Sequence, residues 1–308
     1  MWTRFLNKLF LAIAAIFLIS SQAAAETLRP FVLGDTPPGD LKQVADAVKL
    51  KVTAAGFEIV GSYSPFANAV VICVTNNDLK TAAAKVLNGG FGAAQRISVT
   101  DVKGKIQVAY VNPAYLGTAY GMGKLETISS KLKTSLGAVK VFGSENGIPE
   151  EKLGPGMYRY AMFMPYFKDV DFFMEHPDYK TAVDTVEKNL AAGVGGTRKI
   201  YRIDLPGKQV SVFGVAIPKG DGIDKGNKDT DKEIIDIVDF GELKHTAYLP
   251  YELMVDGNRV IALRARYRIA LNFPDTSMAG EHGFTKIMTA PWGIQLALEA
   301  VAGFKREQ

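Results

Sequence analysis

The chain has 308 residues, 47% hydrophobic and 22% charged, with 30 Gly and 14 Pro, proportions that exclude a disordered, collagen-like or coiled-coil protein and suggest about two domains. Its charge of +4 includes no polybasic cluster, which argues against nucleic acid as a partner. A single cysteine, Cys73, excludes an internal disulfide framework and a Cys-rich zinc site, and its apolar run Val70 to Val74 marks it as a small buried hydrophobe.

Residues 1–25 have the pattern of a secretory signal. Arg4 and Lys8 precede an apolar run from Leu9 to Ile19, and Ala23-Ala24-Ala25 supplies small side chains beside a cleavage point. A run of eleven is too short to span a hydrocarbon core, which needs ~20 apolar residues. The expected mature chain starts near Glu26 and is periplasmic or secreted, with no membrane span after cleavage. Losing two cations and no acids leaves 34 against 32, a net +2.

Asp40 then reads as the N-cap of a helix carrying Leu41, Val44, Ala45, Val48 and Val52 at helical spacing, closed by Gly56. Strands are predicted over Phe57 to Tyr63 and Val70 to Val74, and a second helix from Asn76 to Leu87. A hairpin, Gln95 to Val102 and Lys105 to Val111, turns at Lys103-Gly104, with Asn112-Pro113 breaking it. A third helix covers Leu125 to Leu136.

The same order recurs. Asp178 caps a helix with Ala182, Val183, Val186 and Leu190, followed by strands at Arg198 to Leu205 and Val210 to Ile217. A short helix near Asp231 to Val238 precedes a predicted hairpin, His245 to Val255 and Arg259 to Ala270, turned at Asp256-Gly257. A last helix runs from Pro291 to Ala302. The expectation is an internal duplication, units 38–142 and 176–305 joined by a linker and Met/aromatic-rich segment at 143–175. Paired strands between helices favour α+β, each unit an antiparallel sheet with helices on one face.

Ala55-Gly56-Phe57 between helix and strand, with Leu249-Pro250-Tyr251 and Asp256-Gly257 in the later hairpin, resembles the bacterial domain-of-unknown-function family 302. That resemblance implies an α+β fold in two divergent tandem copies and brings no established reaction.

If Arg259 to Ala270 is a strand, alternation puts Arg264, Arg266 and Arg268 on one face. With a two-residue turn, positions summing to 513 pair, so that His245 opposes Arg268 and Tyr251 shares the face. Such a ribbon suits a small anionic ligand or a periplasmic protein partner. The competing reading is a solvated basic face. Met162, Met164, Met174 and His176 carry the soft ligands Cu(I) favours, against a reading in which the Met-rich stretch fills gaps in a core.

Catalysis has less support. His245 or His282, the latter beside Glu281 in a Gly-flanked loop, could serve a small-molecule hydrolase, but no G-x-S-x-G or H-E-x-x-H occurs. Gly117 to Lys124 lacks the Ser/Thr of a phosphate loop, since Leu125 follows the lysine. Asp221 to Glu233 has Ile223 and Lys225 where a calcium loop needs oxygen ligands. The leading expectation is an exported, soluble, non-enzymatic binding protein.

Overall fold

The computed structural model describes residues 26–219 and 230–305. The signal-like segment and most of the calcium-loop-like stretch lie outside the described residues. Short strands β1 (Thr27–Leu28) and β8 (Ile148–Pro149) pair with each other. The other strands form two antiparallel sheets, so the chain is α+β.

The first sheet has six strands: β2 (Phe31–Leu33), β3 (Glu58–Tyr63), β4 (Ala69–Thr75), β5 (Gln95–Val102), β6 (Lys105–Val111) and β7 (Lys140–Phe142). Their spatial order is β3-β4-β5-β6-β2-β7. The second sheet has five: β9 (Val170–Glu175), β10 (Arg198–Asp204), β11 (Val210–Ala216), β12 (Tyr251–Asp256) and β13 (Arg259–Leu263). Their order is β10-β11-β12-β13-β9. Apart from β7, the two sheets are connected identically. The register shifts at the same place in both, between Ile59 and Gly61 in one and between Lys199 and Tyr201 in the other. Strands β2 and β9, which the sequence reading missed, complete the two sheets from just outside the expected units.

Helices α1 (Leu41–Ala54) and α4 (Glu126–Leu136) cover one face of the first sheet. There Val44, Val48, Val52, Ile128 and Leu132 meet Ile72, Val74, Ile97 and Val108. Asp40 caps α1 through the Gln43 amide, with the Gln43 side chain returning the bond. Asp178 caps α5 (Tyr179–Ala191) through the Thr181 amide. That helix packs with α8 (Ala290–Ala302) on the second sheet. Full burial of each such Val or Leu contributes about 1.5–3 kcal/mol.

The remaining faces of the two sheets meet. Arg96, Ser98 and Thr100 of β5 are buried there. Thr100 Oγ1 lies 3.1 Å from Thr246 Oγ1, and Gly90 packs against Met254 and Val212. The layers therefore run helices, sheet, sheet, helices. At one end β3 and β10 lie against each other; a Cβ on Gly61 would stand 2.4 Å from the Ile200 carbonyl oxygen.

The second hairpin differs most from expectation. Its register joins Asp256 to Arg259 and Val255 to Val260, so the paired positions sum to 515 and the turn is Gly257-Asn258. Strand β13 stops at Leu263, and α7 (Ala265–Asn272) follows. His245 precedes a 3-10 turn, Thr246–Tyr248, and Pro250, which has no N–H for a ladder, stands before β12. With no partner strand left, the helix formers of Ala265 to Leu271 coil. Helix α3 (Pro113–Ala119) occupies the same point after β6. Helix α2 (Asn77–Ala84) ends before Leu87, and a 3-10 turn at Gly89–Gly92 follows. The Met/aromatic-rich segment forms no strand over residues 157–167. Helix α6 (Asp231–Val238) agrees with the sequence reading, with Thr230 and Glu233 forming a capping box.

Candidate functional site

A cavity of about 510 Å³ opens between the two halves. Arg29, the end of β7 and residues Gly143 to Glu145 form one wall. The segment leaving α6, with Phe273 and Asp275, forms the other. Gln107 of the first sheet ties that segment down: its side chain donates to the Glu242 carbonyl at 2.7 Å and accepts from the Lys244 amide at 3.1 Å.

Asp239 and His245 stand at the cavity wall, six residues apart and brought together by the turn between them. The His245 amide donates to Asp239 Oδ2 at 2.9 Å, and Lys244 Nζ donates to the Asp239 carbonyl at 2.7 Å. Asp239 Oδ1 and His245 Nδ1 are 3.8 Å apart, and both are buried without a hydrogen-bond partner. Buried polar atoms are ordinarily satisfied, because leaving one bare costs about 1–3 kcal/mol.

The imidazole lies among aromatic rings, with centroids 4.9 Å from Phe31, 5.6 Å from Phe142 and 4.9 Å from Phe273. Burial, reinforced by Lys244, pushes its pKa down to about 3, while burial pushes Asp239 up to about 7 against the opposing pull of Lys244. Near pH 6 both are neutral: a carboxyl able to donate faces an imidazole nitrogen. Elsewhere in the wall Arg29, Ser144 and Asp275 are already paired. Ser144 Oγ donates to Asp275 Oδ1 at 2.8 Å, and Arg29 Nε donates to the Ser144 carbonyl at 2.9 Å.

The three arginines are divided among separate environments: Arg264 is the non-helical residue before α7, and within α7 Arg266 stands about 200° around the axis from Arg268. Arg264, at the helix entrance, pairs with Asp171 at 3.3 Å on the surface. Arg266 is exposed and reaches a different, apolar pocket. Arg268 is buried between Tyr248 and Tyr251, its guanidinium 4.5 and 4.8 Å from their ring centres. Its Nε donates to Glu252 Oε2 at 2.8 Å, and Arg96 donates to the same carboxylate from the first sheet. Tyr251 therefore belongs with Arg268 inside the protein, and of the five predicted ligand-binding residues only His245 lines the cavity.

The thioethers are divided too. Met162 is 71% exposed, Met164 lines the Arg266 pocket, and Met174 lies on β9. His176 donates from Nε2 to the Ala302 carbonyl at 3.0 Å. Among the described residues no group of three or more His, Cys, Asp and Glu side chains could hold a metal ion. His282 donates from Nδ1 to the Ile237 carbonyl at 2.9 Å and stacks on Phe240 at 4.3 Å, while Glu281 is exposed. Cys73 is buried, and desolvation pushes its thiol up to about 12, as suits a packing residue.

Asp239 carries no sequence signal, since an acid ending an apolar helix usually faces water. Comparison with protein-family models, curated proteins and solved structures finds no match to this chain. The likeness to the domain-of-unknown-function family thus rests on its short motifs. Among the described residues no helix is long and apolar enough to cross a membrane.

Proposed function

We propose that this chain is an exported, non-enzymatic binding protein, built from two copies of one α+β unit, that takes a small molecule into the cavity between them. The observation carrying this reading is the pair of unsatisfied buried atoms, Asp239 Oδ1 and His245 Nδ1, on the wall of a 510 Å³ space. A ligand with one polar edge satisfies both, and the rings of Phe142 and Phe273 favour a flat apolar body behind that edge. Export rests on the pattern of residues 1–25.

Native mass spectrometry of protein recovered from the periplasm tests the reading. The wild type carries an additional small mass that denaturation releases, and His245→Phe, which keeps the aromatic packing, loses it. Equal masses for both proteins overturn the proposal. A second reading draws on the Asp239 proton, held up to about pH 7: an enzyme that protonates the bound molecule. Turnover of the released compound by the wild type, abolished in Asp239→Asn, would favour it.

A further inference from the structure

We infer that the apolar pocket beside Arg266 is a second ligand site, for a short aliphatic carboxylate. The pocket has a volume of about 170 Å³ and shares no lining residue with the cavity between the halves. Met164, Ile269, Phe284, Met288 and Pro291 give it thioether and hydrocarbon walls, and Arg266 is its one charged group.

The walls come from separate parts of the chain, locked together. Tyr160 meets the Phe284 ring edge-on at 4.9 Å and donates its hydroxyl to the Thr276 carbonyl at 2.7 Å. That contact fixes the segment bearing Met164 against the 3-10 turn Phe284–Ile287 that precedes α8. The mouth is apolar as well, with Met288 67% and Met278 53% exposed.

Arg266 differs from its neighbours. Arg264 pairs with Asp171 and Arg268 with Glu252, whereas among the described residues no carboxylate pairs with Arg266. An unpaired guanidinium at the edge of a hydrocarbon-lined space is complementary to a ligand with an anionic head and an apolar tail. Thioethers alone would suit Cu(I), but the adjacent positive charge opposes a cation. A cavity near 150 Å³ accommodates benzene, so this one fits a tail of about six to eight carbons.

Calorimetric titration with octanoate and its neutral counterpart octanamide tests the site. The wild type binds one equivalent of octanoate about tenfold more tightly than octanamide. Arg266→Gln, an exposed change that leaves the fold alone, brings octanoate to the octanamide level without altering octanamide. Met288→Glu, which sets a like charge at the mouth, weakens octanoate more than octanamide. His245→Phe leaves every titration unchanged, so loss of the inter-half cavity reading would not remove this one. Absence of saturable octanoate binding, the same discrimination in Arg266→Gln, or flotation with anionic vesicles in place of octanoate binding would overturn the inference.

Discussion

The two sheets are wired alike, yet at matched positions they carry different side chains, and the differences make the interior. Arg96 and Glu252 are each the second residue of their strand, opposite Cys73 in one sheet and Gly214 in the other. Where the first sheet has Gly61 across from Cys73, the second has Tyr201 across from Gly214, and a Cβ on Gly214 would stand 2.2 Å from that ring. The fourth residue of α3 is Leu116, and that of α7 is Arg268. Two like faces could not neutralise one another; Arg96 on one and Glu252 on the other give the facing sheets opposite charges.

The largest effect should follow from removing that charge. Glu252→Ala leaves Arg96 and Arg268 buried without their shared carboxylate, and is expected to destabilise the protein by about 3–5 kcal/mol. Urea denaturation measures it, and a loss below about 1 kcal/mol would mean that the two guanidiniums find other partners.

The link from β4 to β5 is a short helix and turn, but the link from β11 to β12 carries Asp231, Asp239 and His245. Burial pushes both carboxyls from 3.8 up to about 7. Their stabilising contribution is complete below pH 3.8 and is lost as the pH climbs through about 7. His245, depressed from 6.5 to about 3, works oppositely: its contribution is present above 6.5 and is lost as the pH falls toward 3. Two carboxyls outweigh one imidazole, so these groups make stability fall between about pH 5 and 7.5. Asp239→Asn should shrink the difference between urea midpoints at those two pH values; an unchanged difference would show that Asp239 ionises freely in the fold.

The smallest expected effect compares Tyr115 and Tyr267, each the third residue of its helix. Tyr115 donates to the Leu271 carbonyl at 2.8 Å, whereas the Tyr267 hydroxyl is buried without a partner. Tyr115→Phe should cost about 1 kcal/mol and Tyr267→Phe nothing or slightly less than nothing. Equal losses in thermal denaturation would erase the distinction.

Features set by local chemistry were readable from the sequence. Asp40 and Asp178 cap helices because a carboxylate three residues before a free amide satisfies it whatever the surroundings. Lys103-Gly104 turns the first hairpin because both residues take positive φ, 54° and 83°. The second hairpin misled because its arginines and aromatics fit a strand by alternation, and only the end of β13 beside its neighbours converts them to a helix. The site was less legible still. Asp239 and His245 gain their character from Gln107 holding the segment and, for the imidazole, from rings supplied by Phe31 and Phe142, more than ninety residues away in the chain. Alternation places His245 on a ribbon that does not form, and it reaches the cavity through a turn.

The abutment of β3 and β10 has a further meaning for how the chain holds together. Each is the terminal strand of its sheet, and a terminal strand with open amides and carbonyls invites pairing with foreign chains. Here the two shield one another, with Gly61 allowing the backbones to close up. Either half released alone would bare both this rim and an ionised inner surface.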